Sequence, residues 1–500
     1  MRAILILFLA ALPHGSAFAQ TAGLDALHAL KIESGAIQFL ERDDSPSVTI
    51  RNRTLQNVPP RTILKIVLNP SARSNIRVEI WLPDADKWNG RLIGFGNGGP
   101  AGSIDEGILC GNCSQGFAAA HTDLGTAPVP KAGMGNPEVW KDFGYRATHL
   151  MTVVAKQAVE AYYGKAPEFS YFVGGSTGGQ QAIQEAQRFP EDYDGIVANI
   201  PALCRTPLHA YFLWNDQILK KCPFTPGQMA NIQQAGIDYM APRQVPALAG
   251  KCIADPRCTG KDIDAVIQLA RQKDPSLTDA QAEALHKLLD GPRYSVTGER
   301  IFWGIPIGGS ISASHGNLWL VSWAFAGGKS TDEINFGDDM VTYTRLMAPY
   351  VNAEDPNLGP FEKHGGKLIM VAGAADSIVP PQSVIDYYER VIAHFGDLDK
   401  VRSFCRFYLI PGMGHGAQAT GFGLPGDTFK KVMEWREHGT VPNEVVCRRV
   451  VGGKVEMEMP VYPYPQQTGW NPKTNQYQPV DGPRGGLDPI ANRFLPAPSM

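Results

Sequence analysis

The sequence has no run rich in lysine or arginine, and its 46 basic residues are nearly balanced by 49 acidic ones. A nucleic-acid-binding protein needs a basic face against the phosphates, so this charge pattern argues against a nucleic-acid partner. Beyond the N-terminus the sequence also lacks any apolar stretch of the roughly 20 residues that a membrane-spanning helix requires. No internal repeat is visible. We therefore expect neither a nucleic-acid-binding protein nor an integral membrane protein.

The composition is that of a folded protein with many loops. Hydrophobic residues make up 43% of the chain and charged residues 19%, which is typical of globular rather than disordered proteins. The 53 glycines and 39 prolines point to loops rather than long helical arrays. Because 500 residues are too many for one compact core, we expect a main domain with a large insertion or a second domain.

The N-terminus has the pattern of a secretory signal peptide. Met1-Arg2 is a short positive region, residues 3–12 are apolar, and Ala17-Phe18-Ala19 provides an A-x-A cleavage site before Gln20. The apolar run is too short to span a bilayer; the alternative is an anchoring or buried helix. We predict a signal peptide at 1–19 and an exported protein, periplasmic or extracellular.

Export changes how the eight cysteines are interpreted, because disulfides are the default in an oxidising compartment. Cys110-x-x-Cys113 lacks a second cysteine pair or a histidine at ligand spacing, so we expect no metal there. The connectivity stays open; proximity along the chain favours the pairs Cys204–Cys222, Cys252–Cys258 and Cys405–Cys447.

Strand and helix patterns alternate in two parts of the chain, which predicts an α/β fold with a mostly parallel sheet and covering helices. The predicted strands are 48–50, 63–68, 76–83 (half-exposed), 91–95, 169–173, 196–198, 367–371 and 406–410, and the helices are 150–161, 180–188, 384–394 and 429–438. The alternation is lost between about 203 and 361. We therefore divide the mature chain into a catalytic domain, 20–202 with 361–500, and an inserted domain, 203–360.

Gly174-Gly175-Ser176-Thr177-Gly178 fits the pattern G-x-S-x-G between a predicted strand and a predicted helix. In the α/β-hydrolase fold this turn exposes a nucleophilic serine, and the amide after it stabilises an oxyanion. The sequence thus predicts Ser176 as nucleophile and Thr177 as an oxyanion donor; the alternative is a plain glycine-rich turn.

A serine nucleophile needs a base that is oriented by an acid. Asp376 follows the strand at 367–371, and His415 follows the strand at 406–410. Both lie at carboxyl ends of parallel strands, where α/β sheets place their sites. Their order after the serine is the order of this fold. The alternatives are a loop acid and a surface histidine.

The second oxyanion donor is expected in the loop after the strand at 91–95, which reads Gly96-Asn97-Gly98-Gly99. We favour Gly98 or Gly99, without deciding between them, against a merely structural turn. His121 lies in a loop that either supports this segment or has a structural role only.

Several longer motifs resemble the tannase and feruloyl esterase family. They are Asp142–His149, Ala186–Ile196, Gly365–Ile369, Pro411–His415, Trp435–Gly439 and Tyr462–Pro465. The resemblance covers roughly residues 80 to 475. It implies an α/β-hydrolase fold, an inserted lid at 203–360 that shapes the acyl pocket, and activity on aromatic esters such as hydroxycinnamates and gallates.

The chain departs from that family at two places. Family members join a cysteine before the serine to one after the histidine, whereas this chain has Gly175 and Gly416, so other packing must hold His415 near Ser176. The family also binds calcium in the lid. Here only Asp255 remains, and residues 242–251 contain no carboxylate. Calcium takes six to eight oxygen ligands, so we expect no calcium, and no other metal or cofactor.

The sequence therefore predicts a carboxylic ester hydrolase that acts on a small-molecule ester through an acyl-enzyme. An acyltransferase, amidase or lactone hydrolase would use the same triad, and a non-catalytic binding protein is the remaining alternative. The tryptophans of the inserted domain fit packing better than stacking on substrate; they are Trp214, Trp303, Trp319 and Trp323.

Overall fold

The computed structural model describes residues 14–50, 52–244, 252–311 and 317–491, with the side chains of 14–20 left out. Of the predicted signal peptide, residues 1–13 lie outside the described residues, and 14–19 begin the first helix. Each helix within the described ranges is too short or too polar to cross a membrane.

The N-terminal part alternates strands and helices up to the start of the insertion. Its elements are α1 (His14–His28), β1 (Gly35–Asp43), β2 (Ser47–Ile50), β3 (Arg53–Gln56), β4 (Arg61–Leu68), β5 (Ile76–Pro83), β6 (Arg91–Phe95), α2 (Glu106–Cys113), β7 (Ala118–Thr122), α3 (Pro137–Lys141), α4 (Ala147–Tyr163), β8 (Phe169–Gly175), α5 (Thr177–Arg188) and β9 (Gly195–Asn199). A 3₁₀ turn, Lys131–Gly133, and a π-helical turn, Asp142–Arg146, precede α3 and α4 respectively. Helix α4 ends at Gly164, which adopts the left-handed conformation (φ 71°) that glycine commonly provides at helix ends.

The insertion is helical. It contains α6 (Arg205–Lys221), α7 (Pro226–Met240), a 3₁₀ turn at Ala241–Arg243, α8 (Gly260–Lys273), α9 (Asp279–Asp290), α10 (Trp319–Phe325), α11 (Asp338–Val351) and α12 (Gly359–Lys363). Capping boxes start three of these helices, at Thr225, Thr259 and Thr278. Each box satisfies amides that would otherwise lack partners, which fixes where the helix begins.

The C-terminal part returns to the sheet and then adds two hairpins. Its elements are β10 (Lys367–Gly373), α13 (Gln382–Phe395), α14 (Leu398–Arg402), β11 (Cys405–Ile410), α15 (Thr428–His438), β12 (Val445–Val451), β13 (Lys454–Val461), β14 (Gln467–Asn471) and β15 (Gln476–Val480). Strands β12–β13 and β14–β15 pair antiparallel.

Within the described residues, nine strands form the main sheet in the order β1-β4-β5-β7-β6-β8-β9-β10-β11. The strands from β7 to β11 in this order are parallel, and β1, β4 and β5 are antiparallel at one edge. The sheet is therefore mostly parallel, as predicted. It separates two hydrophobic clusters, so both faces are covered.

Strand β5 was predicted to be half-exposed, and this prediction is wrong. All its residues except Arg77 are buried. The strand lies between β4 and β7, and helices cover both faces of the sheet there. Glu79 is therefore inside the protein, where it accepts a hydrogen bond from the Trp81 indole (2.7 Å).

The three suggested disulfides are not formed, because neighbours in sequence are not neighbours in space. Cys204 and Cys222 flank opposite ends of α6, roughly 25 Å apart by helix geometry, whereas a disulfide needs Cα atoms within about 7 Å. In each of the other two proposed pairs, the two cysteines belong to different hydrophobic clusters. Cys405 and Cys258 lie in one cluster, and their proposed partners Cys447 and Cys252 lie in the other. Cys204, Cys222, Cys258, Cys405 and Cys447 are free thiols.

Candidate active site

Ser176 occupies a strained turn between β8 and α5. Its φ of 60° lies in the left-handed region, which non-glycine residues seldom adopt and which often marks a functional site. The Ser176 amide donates to Asn199 O (3.0 Å), and its carbonyl accepts from the Ala202 amide (3.1 Å). The segment after β9 therefore holds the serine backbone from both sides.

The glycines around the serine permit a close approach of strand, helix and loop. A Cβ on Gly174 would lie 2.2 Å from the Gly178 carbonyl oxygen, and one on Gly96 would lie 2.4 Å from Gly178 Cα. Any side chain at these positions would push α5 away from β8 or from the loop after β6. The G-x-S-x-G pattern is thus required by packing, as the sequence predicted.

The loop after β6 is attached to the first turn of α5. The Gly178 amide donates to Asn97 O (2.7 Å), and Thr177 Oγ1 donates to Gly99 O (2.7 Å). These bonds bring Gly98 and Gly99 beside Thr177. A Cβ on either glycine would meet no atom within 4 Å, so both border open space. Thr177 opens α5, and the first amides of a helix lack helical partners.

Asp376 and His415 are hydrogen-bonded to each other at the carboxyl ends of β10 and β11. His415 Nδ1 lies 2.8 Å from Asp376 Oδ2. The other carboxylate oxygen of Asp376 accepts from the amides of Ile378 and Val379, both at 2.9 Å. Asp376 is 1% exposed and His415 is 22% exposed. The acid is therefore fixed and buried, while the imidazole reaches the surface of the site.

The structure brings His415 and Ser176 to the same edge of the sheet but forms no hydrogen bond between them within the described residues. Ile200 lies between the two loops. A Cβ built on Gly416 would lie 3.2 Å from Ile200 Cδ1, and one built on Gly175 would lie 4.0 Å from Ile200 Cγ1. This isoleucine is 6% exposed, so its apolar side chain occupies the position between Gly175 and Gly416.

Ile200 adopts an unusual backbone conformation to do this. Its φ is 41°, which is an outlier for a β-branched residue. Its amide donates to Val371 O (2.6 Å) on β10. The strained conformation is maintained because the attachment of Ile200 to β9 and its hydrogen bond to β10 fix the backbone at this position.

The sequence profile named "Tannase and feruloyl esterase" matches residues 63–347 and 329–479 of this chain. The chain belongs to the tannase and feruloyl esterase family. Among curated relatives, feruloyl esterase B of Aspergillus niger is 31% identical over 75% of this chain and 77% of its own length. An uncharacterized esterase of Xanthomonas campestris pv. campestris is 28% identical over 87% of this chain and 86% of its own.

Solved structures of the family share the fold. Feruloyl esterase B from Aspergillus oryzae superposes with a TM-score of 0.76 at 21% identity, covering 92% of this chain and all of that one. The tannin acyl hydrolase from Aspergillus niger gives 0.74 at 18% identity, covering 94% and 96%. The predicted α/β-hydrolase fold is confirmed, and the chain is a carboxylic ester hydrolase.

The roles of Gln181 and the Asn97 side chain in supporting the site of this esterase were not predicted from the sequence, whereas a supporting role for His121 was one of the two alternatives. Gln181 Oε1 accepts from the Asn97 amide (2.8 Å), and Asn97 Nδ2 donates to Thr122 O (2.8 Å). His121 is buried behind the same loop, where Nδ1 accepts from the Asp105 amide (3.3 Å). Burial lowers the pKa of His121 to about 4, so it is neutral and acts as a support. The glutamines at the start of the predicted helix 180–188 were the available signal.

The tryptophans of the insertion pack against protein, as expected. Trp319 and Trp323 are buried against Phe143, with ring centroids 5.0 and 5.7 Å away. The other two donate their indole hydrogens to backbone carbonyls: Trp214 to Lys287 O (3.0 Å) and Trp303 to Asp488 O (3.1 Å).

Asp255, the remaining aspartate of the family's calcium segment, is paired with Arg257 at 2.7 Å. It also accepts from the Arg257 amide (3.0 Å). A carboxylate already neutralised by an arginine is a poor ligand for a hard cation. The absence of calcium at this position stays a prediction.

Among the described residues, one other group brings metal-ligand side chains together: the ligand atoms of His149, Glu185 and Asp192 lie within 4.8 Å of one another. His149 Nδ1 is already 2.7 Å from Asp192 Oδ2. Burial, together with the neighbouring Asp192, holds the pKa of the Glu185 carboxyl well above its usual value. The raised pKa favours the neutral form of Glu185, and His149 and Asp192 are already bonded to each other.

The Glu185 proton predicts a dependence of stability on pH. Between the ordinary pKa of a glutamate and its raised value in the folded protein, the folded state binds one proton more than the unfolded state. The free energy of unfolding therefore falls as pH rises through this window, by up to about 1.4 kcal/mol per pH unit. We expect Glu185→Gln, a neutral isostere, to remove this contribution.

Urea unfolding from pH 5 to 8 measures how the free energy of unfolding changes with pH in the wild type and in Glu185→Gln. Glu160→Gln, an exposed change on α4, is the control, and equal slopes for Glu185→Gln and wild type would show that Glu185 is ionised.

Proposed function

We propose that this esterase hydrolyses its substrate through an acyl-enzyme on Ser176, with His415 as general base and Asp376 as the acid that orients it. The hydrogen bond between His415 Nδ1 and Asp376 Oδ2 carries the proposal. It leaves Nε2 as the ring nitrogen available to the serine hydroxyl. The strained turn at Ser176, at the same edge of the sheet, supports the role of nucleophile.

The reaction follows from these positions. Ser176 Oγ bonds to the ester carbon while its proton passes to His415 Nε2, and the carbonyl electrons move to the oxygen. The tetrahedral intermediate then expels the alcohol, which takes the proton from His415. Water repeats the sequence on the acyl-enzyme and releases the acid. The Thr177 amide and an amide of Gly98 or Gly99 stabilise the oxyanion.

We further propose aromatic esters as substrates and residues 203–360 as the lid over the acyl pocket. Relatives named feruloyl esterase and tannin acyl hydrolase support this substrate class. Contacts between the insertion and helix α5 support the role of the lid. The side-chain amides of Gln180 and Gln184 donate to the backbone carbonyls of Val351 and Asn352, near the end of the insertion (2.8 and 3.0 Å). The N-terminal sequence supports export to the periplasm or the extracellular space.

A fluorophosphonate probe tests the nucleophile directly. We expect one covalent adduct, found by mass spectrometry on the peptide that contains Ser176, because the activated serine is the group that such probes label. The protein with Ser176→Ala is the matched control and should remain unlabelled. Labelling of that variant at the wild-type rate, or an adduct elsewhere, would contradict the assignment.

A substrate panel tests the class of reaction. Methyl ferulate and methyl gallate should be hydrolysed with higher kcat/KM than methyl acetate, because the acyl pocket is proposed to bind an aromatic acid. The matching anilides and added alcohols, run in parallel, distinguish an amidase or an acyltransferase from a hydrolase. Preference for the acetate would reject the aromatic substrate class while leaving the nucleophile assignment intact.

A further inference from the structure

A buried arginine lies directly behind the predicted oxyanion donor. Arg205, the first residue of α6, is 3% exposed. Its Nη2 donates to Thr177 Oγ1 (2.9 Å), and its Nε donates to Gln180 Oε1 (2.7 Å). The guanidinium also lies over the Phe143 ring, 5.4 Å from its centroid. The cation therefore contacts the first turn of α5, beside the nucleophile.

This positive charge has no counter-charge. No carboxylate in the part of the chain that the structure describes pairs with Arg205, and the titratable groups near it are Tyr343 and His209. Both are neutral, because burial raises the pKa of the Tyr343 hydroxyl and lowers the pKa of the His209 imidazole. Burial lowers the pKa of Arg205 to about 9, which leaves it charged at neutral pH.

A buried, unpaired cation destabilises the folded state, and an apolar side chain of similar size is often better tolerated. Two hydrogen bonds to neutral oxygens do not require a charge, since a glutamine can also donate. A buried, unpaired arginine at this position calls for a role other than folding. The negative charge that the proposed reaction creates lies on the other side of Thr177.

We propose that Arg205 is an electrostatic positioning residue whose unpaired charge stabilises the oxyanion from behind Thr177. The inference rests on the acyl-enzyme mechanism proposed above. As the Ser176 Oγ–carbon bond forms, the carbonyl electron pair moves to the oxygen that the Thr177 amide binds. About two hydrogen-bond lengths, roughly 6–8 Å, separate this oxygen from the guanidinium. Protein rather than water fills the space between them, so the attraction is weakly screened.

The contact also fixes the donor itself. Thr177 Oγ1 accepts from Arg205 and donates to Gly99 O (2.7 Å), so one hydroxyl joins the arginine to the glycine loop. Both predicted parts of the oxyanion hole are thereby held in register. Arg205 could thus act through its charge or through its hydrogen bond to Thr177. The two roles predict different activities for substitutions that remove the charge but keep a hydrogen-bond donor.

The test is a series of variants that differ in charge: Arg205→Lys, Arg205→Gln and Arg205→Met. We expect Arg205→Gln to lower kcat about 10- to 100-fold, with KM nearly unchanged, because an uncharged donor loses the attraction in the transition state only. Arg205→Lys keeps the charge and should retain a clearly higher kcat than Arg205→Gln. Equal losses in the Lys and Gln variants, or a Gln variant within twofold of wild type, would overturn the proposal.

Arg188→Gln is the matched control. Arg188 lies at the other end of α5, is partly buried, and donates from Nε to Gln184 Oε1 at 2.6 Å, as Arg205 does to Gln180. It is remote from Thr177, so we expect kcat to be unchanged. A loss in this variant equal to that in Arg205→Gln would show that any arginine bonded to a glutamine of α5 matters equally, and would reject the proposal.

Two further measurements exclude a defect in folding. An arylboronic acid forms an anionic tetrahedral adduct on a catalytic serine, so its Ki should rise in Arg205→Gln by the same factor by which kcat/KM falls. Thermal unfolding should show Arg205→Met to be as stable as wild type or more stable, although its kcat is low. An unchanged boronate Ki would overturn the proposal. Full activity of Ser176→Ala would instead overturn the underlying mechanism.

Discussion

Replacing Ser176 with alanine is expected to lower kcat/KM for p-nitrophenyl esters by about 10⁵-fold. The substitution removes the atom that bonds to the ester carbon, and the neighbouring hydroxyl of Thr177 is already bonded to Gly99 O and Arg205. Activity that remains would come from the oxyanion donors acting on water. Initial rates with purified enzyme measure the effect, and a Ser403→Ala variant, which changes an exposed serine after α14, controls for expression and handling.

The same variant should fold normally. Alanine is as strained as serine at a φ of 60°, and the three backbone hydrogen bonds of residue 176 do not involve its side chain. We therefore expect the free energy of unfolding to change by less than about 1 kcal/mol. Turnover within tenfold of wild type in a folded, pure Ser176→Ala preparation would exclude an acyl-enzyme on this serine.

The turn at Ser176 and the strand and helix on either side of it are predictable from sequence, because the residues that determine them are neighbours along the chain. The apolar run ending at Gly175 and the helix that follows specify a strand–turn–helix by themselves. Packing then requires glycine at positions 174 and 178, where any Cβ would collide with backbone. Asp376 and His415 could be placed because parallel strands end at one edge of the sheet.

Strand β7 and the disulfide pairs were not predictable in the same way. Residues 118–122 read Ala-Ala-Ala-His-Thr, which carries little β-propensity; the strand exists because β5 and β6 pair with it. The cysteine pairs failed because separation along the chain gives no side-chain distance. Cys204 and Cys222 stand on opposite ends of one helix.

Arg205 and Ile200 show what a sequence alone conceals. Both follow β9 in a segment without a motif, and nothing in the order of residues shows that one contacts Thr177 and the other Gly416. Arg205 is a buried cation without a counter-charge, and Ile200 is a β-branched residue in the left-handed region. Neither is expected from the ordinary preferences of its residue type. Such exceptions are expected at functional sites, where local preference yields to the site's geometry.

The second large effect is expected for Asp376→Asn, which should lower kcat by about 10³- to 10⁴-fold while leaving KM nearly unchanged. The reason lies in the two amides that bind Asp376 Oδ1, those of Ile378 and Val379. They donate, so an asparagine must turn its carbonyl oxygen toward them. Its NH₂ group then takes the place of Asp376 Oδ2, which accepts the hydrogen bond from His415 Nδ1 in the wild type. The NH₂ group therefore faces Nδ1.

An NH₂ group facing Nδ1 forces the imidazole into the other tautomer. The ring proton moves to Nε2, and the nitrogen that should take the proton of Ser176 no longer can. Fluorophosphonate labelling should therefore slow by a factor similar to that of kcat, while Asp399→Asn, an exposed change on α14, has no effect on either rate. A kcat for Asp376→Asn within tenfold of wild type would mean that the amides of residues 378 and 379 do not set the orientation of residue 376, or that another acid orients His415.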